Sequence, residues 1–141
     1  MNQNLEDLTD DFSVNKWNFS KGSIIENEDK IYTLILPISK FILDTEIIET
    51  SIRLDFVELT EPLISYIGKT IIFPINPEEG YIDGSVYLRN AHNPVDVTEI
   101  RFATLKEGNL TIEISMQFIF DYEGIGFKNE DLKKELILAV S

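Results

Sequence analysis

Apolar and polar residues alternate along one stretch near the C-terminal end of the sequence. From Leu110 to Tyr122 every second residue is apolar, and the residues between them are polar except for Ile119. A period of two places the apolar set on one face of a pleated strand. The pattern therefore predicts a long β-strand with one face in the core. Because strands usually have about five or six residues, we expect this one to bend or to carry a bulge near its end.

The same alternation predicts a strand over Ile48–Leu59. Within it, Ile52, Leu54 and Phe56 occupy every second position, with polar residues at the positions between them. These three side chains are therefore expected to share one face of the strand.

Two further strands are predicted at Tyr81–Leu88 and Val95–Thr104, each separated from the next by a short polar segment. Together with the long strand they predict a three-stranded antiparallel meander over residues 81–122. Gly84 interrupts the first of these strands, which indicates either a bulge or a place where another backbone approaches closely.

Other segments have weaker periodicity. Glu61–Gly68 has a proline near a possible helix start and a glycine where a helix would stop, so one or two helical turns are expected there. In the tail, Asn129 is suited to cap a short helix. The compact apolar run Leu136–Val140 favours a final edge strand instead.

These elements predict a single, mainly β domain over residues 1–141. Its core would be one curved antiparallel sheet, or a sandwich, of about seven or eight strands with one or two short helices. An α+β class is the alternative. A chain of 141 residues is long enough to bury such a core without disulfides or metals. Residues 1–14 are polar and acidic with little periodicity, so they are predicted to form a flexible arm.

The composition limits which chemical groups the protein can use and indicates where in the cell it acts. The sequence contains no cysteine, which excludes disulfides, thiolate metal sites and thiol nucleophiles. Its first residues are acidic, whereas a secretory signal begins with basic residues followed by apolar ones. No apolar run approaches the roughly 18 residues of a membrane span. A cytoplasmic location without membrane association is therefore predicted.

The net charge is strongly negative. Twelve Lys and Arg residues stand against 25 Asp and Glu residues, which gives −13 at pH 7. Such a surface repels DNA, RNA and anionic membranes. It attracts a basic protein and accelerates association with one. The alternative interpretation is that the charge serves solubility alone.

No arrangement of residues predicts catalysis. His92 is the single histidine, and the asparagines and proline around it predict a loop without further metal ligands. The carboxylates Asp83 and Asp96 lie at strand positions, but their spacing does not define an acid–base pair. The sequence also lacks a phosphate-binding loop and a nucleophile elbow. We therefore predict a protein that is not an enzyme and that has no cofactor and no metal site.

The acidic residues instead predict a recognition surface. The candidates are carboxylates in a turn or near strand ends, with two tyrosines beside them as aromatic anchors. This predicted binding set is Glu78, Glu79, Tyr81, Asp83, Asp121, Tyr122 and Glu123.

Three segments of the meander resemble a known group of proteins. Gly84–Leu88, Val97–Phe102 and Phe120–Gly124 are similar to segments of small acidic bacterial immunity proteins of polymorphic or contact-dependent toxin systems. The resemblance covers residues 81–124. It consists of the pattern of strands and of a closing sequence in which an acidic and an aromatic residue are followed by Glu and Gly. It implies a non-catalytic protein whose acidic surface binds a basic toxin domain, often a nuclease. It carries over no defined functional residues.

Charge, composition and resemblance together predict a monomeric or homodimeric immunity protein that neutralises a cognate basic toxin by occluding it. Two alternatives remain open. One is a homo-oligomeric structural or assembly protein joined through its sheet edges. The other is a small-ligand-binding β domain with a pocket inside the sheet.

Overall fold

Eight β-strands make up most of the structure, a computed structural model that describes residues 5–141. The predicted mainly β class and strand number are confirmed. Short 3-10 turns cover Val14–Lys16, Leu63–Tyr66 and Phe120–Tyr122. The strands are β1 Gly22–Glu28, β2 Ile31–Leu43, β3 Glu46–Glu58, β4 Thr70–Ile72, β5 Asp83–Leu88, β6 Ala91–Lys106, β7 Asn109–Phe118 and β8 Glu130–Val140.

Seven of the strands close into a barrel. Their order is β6-β5-β3-β2-β1-β8-β7, and β7 pairs back onto β6, while β4 flanks β6 beside the ring. The predicted open curved sheet or sandwich is therefore wrong. Closure depends on a parallel pairing of β1 with β8, in which Gly22 lies opposite Leu138. Alternation shows which face of a strand is buried but not which strands pair, so the sequence pattern did not reveal this contact.

The barrel interior is filled by apolar side chains from every strand of the ring. Each such side chain contributes roughly 1.5–3 kcal/mol on full burial. Inward residues with no measurable exposure include Ile52, Leu54, Val86, Leu88, Ile100, Ile112, Ile114 and Phe118. The predicted meander is confirmed, because β5, β6 and β7 are consecutive antiparallel neighbours.

The segment before β1 packs along β2. Of the predicted arm over residues 1–14, residues 1–4 lie outside the described part of the chain. The backbone N–H of Leu8 donates to the carbonyl oxygen of Ile42 at 2.9 Å. The N–H of Ile42 donates to the carbonyl oxygen of Glu6 at 3.2 Å. The side chains of Leu8 and Val14 are buried. The described part of the segment therefore contributes to the core.

An aromatic cluster continues this packing at the end of β7. Trp17 is 2% exposed. Its ring lies 5.5 Å from that of Phe118 and 5.8 Å from that of Phe41, measured between centroids. Phe12 and Phe19 contact it edge-on at 6.0 and 6.5 Å. The cluster thus joins the N-terminal segment to the barrel.

The expected short helices are not present. Residues 61–68 contain only the 3-10 turn Leu63–Tyr66, which Pro62 precedes in an extended conformation. The turn buries Leu63, and Gly68 then leaves it with a φ of +85° to enter β4. The backbone N–H of Gly68 donates to the carbonyl oxygen of Phe102 at 2.6 Å, which pairs this end of the segment with β6 in place of a further helical turn. No helix in residues 5–141 is long and apolar enough to cross a membrane.

The long strand ends earlier than its alternation predicts. β7 stops at Phe118, after which the N–H of Ile119 donates to the carbonyl oxygen of Pro94 at 3.0 Å. The 3-10 turn that follows still buries Phe120, while Tyr122 is 71% exposed. Alternating burial therefore continues through Phe120 although the strand does not.

The tail is a strand, so the helical alternative for it is wrong. β8 is also not an edge strand, because it pairs with β7 on one side and with β1 on the other. The expected edge disappears when the barrel closes.

The prediction that Phe56 shares a face of the strand with Ile52 and Leu54 is also wrong. Leu34 lies opposite Leu54, but the next aligned pair is Tyr32 and Val57. An extra residue in β3 therefore forms a bulge, which turns Phe56 outward and Val57 inward. Phe56 is 63% exposed and Val57 is 1% exposed.

Candidate functional site

A cleft of about 180 Å³ lies on the outside of the barrel, between the loop before β5 and the turn after β7. We call it the acidic cleft. Its lining residues include no lysine and no arginine. They are Asn76, Tyr81, Ile82, Asp83, Gly84, His92, Pro94, Val95, Asp96 and Tyr122.

Strand alternation and register place its carboxylates. In β5, Gly84 faces inward and Asp83 outward. In β6, Val95 faces inward and Asp96 outward. Gly84 pairs with Val95 in an antiparallel ladder. Because Asp83 precedes Gly84 and Asp96 follows Val95, the two carboxylates are neighbours on adjacent strands.

Gly84 lines the cleft with its backbone, and the packing on its inward side leaves no room for a side chain. A β-carbon there would lie 2.3 Å from the carbonyl oxygen of Val95 and 2.9 Å from Cδ2 of Leu54. The predicted close backbone approach at this glycine is therefore confirmed.

The row of carboxylates extends to a third strand. Asp55 of β3 pairs directly with Asp83 of β5, so Asp55, Asp83 and Asp96 occupy neighbouring positions on three adjacent strands. Like charges opposite each other in a sheet destabilise it. Arg53 offsets one of them, since its Nε donates to Oδ2 of Asp55 at 3.0 Å. The lining of the acidic cleft supplies no lysine or arginine that could offset Asp83 and Asp96 in the same way.

The environment of Asp96 disfavours its charge. It is half-buried, and loss of solvent around the carboxylate raises its pKa, an effect that the backbone N–H of Asn76 partly opposes. The charged form is therefore held in an environment that disfavours it.

Asp96→Asn is expected to stabilise the protein at neutral pH by up to about 1 kcal/mol, because it removes a charge that burial disfavours. A raised pKa means that the folded state binds the proton more tightly than the unfolded chain. The charge of Asp96 therefore destabilises the native protein fully above the raised pKa. This destabilisation disappears as the pH falls below the ordinary value of 3.8. Urea unfolding of both proteins across this pH range measures the effect. Equal gains at acidic and neutral pH would contradict this electrostatic cause.

The structure brings together part of the predicted binding set. Tyr81, Asp83 and Tyr122 line the acidic cleft. The other four residues are exposed and lie within three positions of the tyrosines in the chain: Glu78, Glu79, Asp121 and Glu123. The N–H of Tyr81 donates to the carbonyl oxygen of Glu78 at 3.2 Å, which forms the turn that returns the tyrosine to the cleft.

Sequence reasoning missed several residues of this surface. Asp55 and Asp96 were not included in the recognition set, because their proximity to Asp83 depends on strand pairing. The only available signal was their alternation with buried residues. His92 lies in β6 and lines the cleft, so its predicted loop position is wrong. Its ring contacts that of Tyr87 edge-on at 5.3 Å.

Among residues 5–141, no three or more His, Cys, Asp or Glu side chains are arranged to hold a metal ion. Comparison of the chain with protein-family models, with curated proteins and with solved structures finds no match. The acidic cleft is therefore the basis for a functional proposal.

Proposed function

We propose that this protein is a non-enzymatic, cytoplasmic immunity protein that neutralises a basic toxin domain by covering it with the face that carries the acidic cleft. The observation that supports this most is the row formed by Asp55, Asp83 and Asp96. Two of these carboxylates lie in a cleft whose lining residues include no lysine or arginine.

A cationic partner would relieve two unfavourable features of the free protein. A positive side chain between Asp83 and Asp96 offsets their mutual repulsion and the burial of Asp96. Tyr81 and Tyr122 border the same cleft and can contact the cation through their ring faces. Tyr122 is 71% exposed, which leaves most of its side chain to be buried by a partner.

The net charge of −13 acts at longer range. It accelerates encounter with a basic protein and makes the association rate fall as salt rises. The resemblance of residues 81–124 to immunity proteins points to the same class of partner.

The test first asks whether a gene beside that of this protein encodes a basic toxin domain, since the absence of one would count against the proposal, and then uses that domain as the binding partner. Titration calorimetry with native protein and Asp83→Asn should show at least about a tenfold loss of affinity in the variant, as for a desolvated charge pair. Glu46→Gln is the matched control, since Glu46 is exposed at the start of β3 and its substitution removes the same charge.

Equal losses in Asp83→Asn and Glu46→Gln would show that net charge alone drives binding and that the cleft is not the site. Failure of the native protein to bind the domain, or to protect cells that express it, would reject the proposed function.

Barrel closure favours inhibition over assembly through sheet edges. The remaining outer edge, β4, has only three residues, although Ile72 within it is 79% exposed. Such a short edge offers few backbone groups to another copy. Light scattering should therefore give a monomer or dimer, whereas a large ring or filament would favour the assembly function.

A further inference from the structure

We propose that Phe56 is a second anchor of the partner-binding surface and that it receives an arginine side chain of the basic partner. This inference rests on the proposed function, because it requires a basic partner. It concerns a different pocket, formed by β1, β2 and β3, which the predicted binding set did not include.

The backbone of Phe56 is unusual for its position. Its φ is +61°, in the left-handed region that bulky residues rarely occupy. The six other non-glycine residues of the described chain with positive φ all lie in turns between strands: Lys30, Asp44, Thr45, Arg89, Asn90 and Glu107. Of these seven residues, Phe56 is the one that lies inside a strand, so the fold maintains an unfavourable conformation there.

The bulge has a clear geometric result. Asp55 and Phe56 together lie opposite the single residue Thr33, and the extra residue sends the phenylalanine ring to solvent. A large apolar ring is thus displayed at the cost of both backbone strain and lost burial. Neither cost has a compensating contact in the core, because Val57 occupies the inward position.

A pocket of about 190 Å³ lies beside this ring, lined by Asn27, Glu28, Ile31, Thr33, Arg53, Asp55 and Phe56. Its polar groups form a connected network. Asn27 Nδ2 donates to Thr33 Oγ1 at 2.5 Å, and Thr33 Oγ1 donates to Asp55 Oδ1 at 2.8 Å. Thr33 is only 3% exposed, so the network fixes the Asp55 carboxylate from below.

Charge complementarity favours a cationic occupant. Glu28 and Asp55 contribute two negative charges to the pocket, while Arg53 contributes one positive charge and already pairs with Asp55. A guanidinium group can stack its planar face on Phe56 while its N–H groups reach these carboxylates. A lysine ammonium would reach the same carboxylates but would gain less from the ring.

The pocket is continuous with the acidic cleft. Asp55 lines the pocket, Asp83 lines the cleft, and the two residues are direct partners across β3 and β5. A single basic partner can therefore contact both places on one face of the barrel.

The test uses fluorescein-labelled nona-arginine and nona-lysine as probes, with binding followed by fluorescence anisotropy at physiological ionic strength. Phe56→Gly should weaken nona-arginine binding by about 5–30-fold, the range expected for a cation–π contact that is partly or fully desolvated. Nona-lysine binding should fall much less. Ile47→Ala is the matched control, since Ile47 has the same 63% exposure in the same strand, and it should leave both probes unaffected.

Thermal melting separates a binding role from a folding role. Glycine accepts a positive φ without strain, so Phe56→Gly should melt about 2–4 °C above Phe56→Ala. The glycine variant therefore remains folded while it loses affinity for arginine. A glycine variant that binds less only because it is unfolded would overturn the proposal.

The same probes distinguish the two proposals. If Asp83→Asn weakens nona-arginine binding and Phe56→Gly does not, the inference about Phe56 is wrong while the proposed function stands. Equal losses for both probes in Phe56→Gly would reject the arginine contact. If nona-arginine binding is unchanged in Phe56→Gly and Asp83→Asn alike, neither surface recognises cations.

Discussion

Trp17→Ala is expected to lower the free energy of unfolding by about 3–5 kcal/mol, the usual cost of truncating a large buried aromatic residue. Trp17 is 2% exposed and contacts four phenylalanine rings from three parts of the chain. Its loss would leave a cavity between the N-terminal segment and the end of β7. Equilibrium unfolding in urea measures the change.

Trp17→Phe is the matched control. It keeps an aromatic ring in the cluster and removes the indole Nε1, which is buried without a hydrogen-bond partner. Because the lost donor is unsatisfied in the folded state, removing it offsets part of the smaller ring's cost. We therefore expect the phenylalanine variant to lose much less than the alanine variant. Comparable losses would contradict a role for ring packing at this site.

Gly84→Ala is expected to cost about 3 kcal/mol or more, at or beyond the upper end of the usual range for overpacking. The added methyl group would overlap the backbone carbonyl of Val95, which cannot move without separating β5 from β6. It would also push against the buried Leu54, so the strain reaches β3 as well. Calorimetric melting and urea unfolding together measure the loss.

Gly124→Ala provides the comparison. Gly124 has a φ of +63°, but a β-carbon there would meet no atom within 4 Å. Its substitution tests backbone conformation alone and should cost about 1 kcal/mol. If Gly84→Ala is no more harmful than Gly124→Ala, the close approach of the three strands does not matter to stability.

Alternation predicted most of the strands because each strand of this barrel has one buried and one exposed face. It failed where a single residue breaks the period, as at Phe56, since one inserted residue moves every later side chain to the opposite face. It also extended the long strand too far, because Phe120 enters the core from a 3-10 turn. Barrel closure was not predictable, because the β1–β8 pairing joins segments more than about 100 positions apart and leaves no local pattern.

The site was predictable to the extent that its residues lie close together in sequence. Tyr81 and Asp83 share one segment, and Tyr122 follows a recognisable strand. Asp55 comes from β3, about 28 residues before Asp83, and reaches it only through strand register. The bulge that exposes Phe56 contains no glycine or asparagine, the residues that often occur at such positions. The sequence therefore gives no sign of the pocket beside Phe56.

The parallel pairing of β1 with β8 sets the order of events when the chain is synthesised. β1 ends at Glu28 and β8 begins at Glu130, so the partner of the first strand follows about 100 residues later. At about 5–20 residues per second, the nascent chain waits roughly 5–20 seconds for it. During that interval the strands already synthesised lack the neighbour that closes the barrel, and an unpaired strand edge promotes aggregation. We therefore expect the yield of this protein in a cell to depend on how that edge is protected during translation as well as on the stability of the finished barrel.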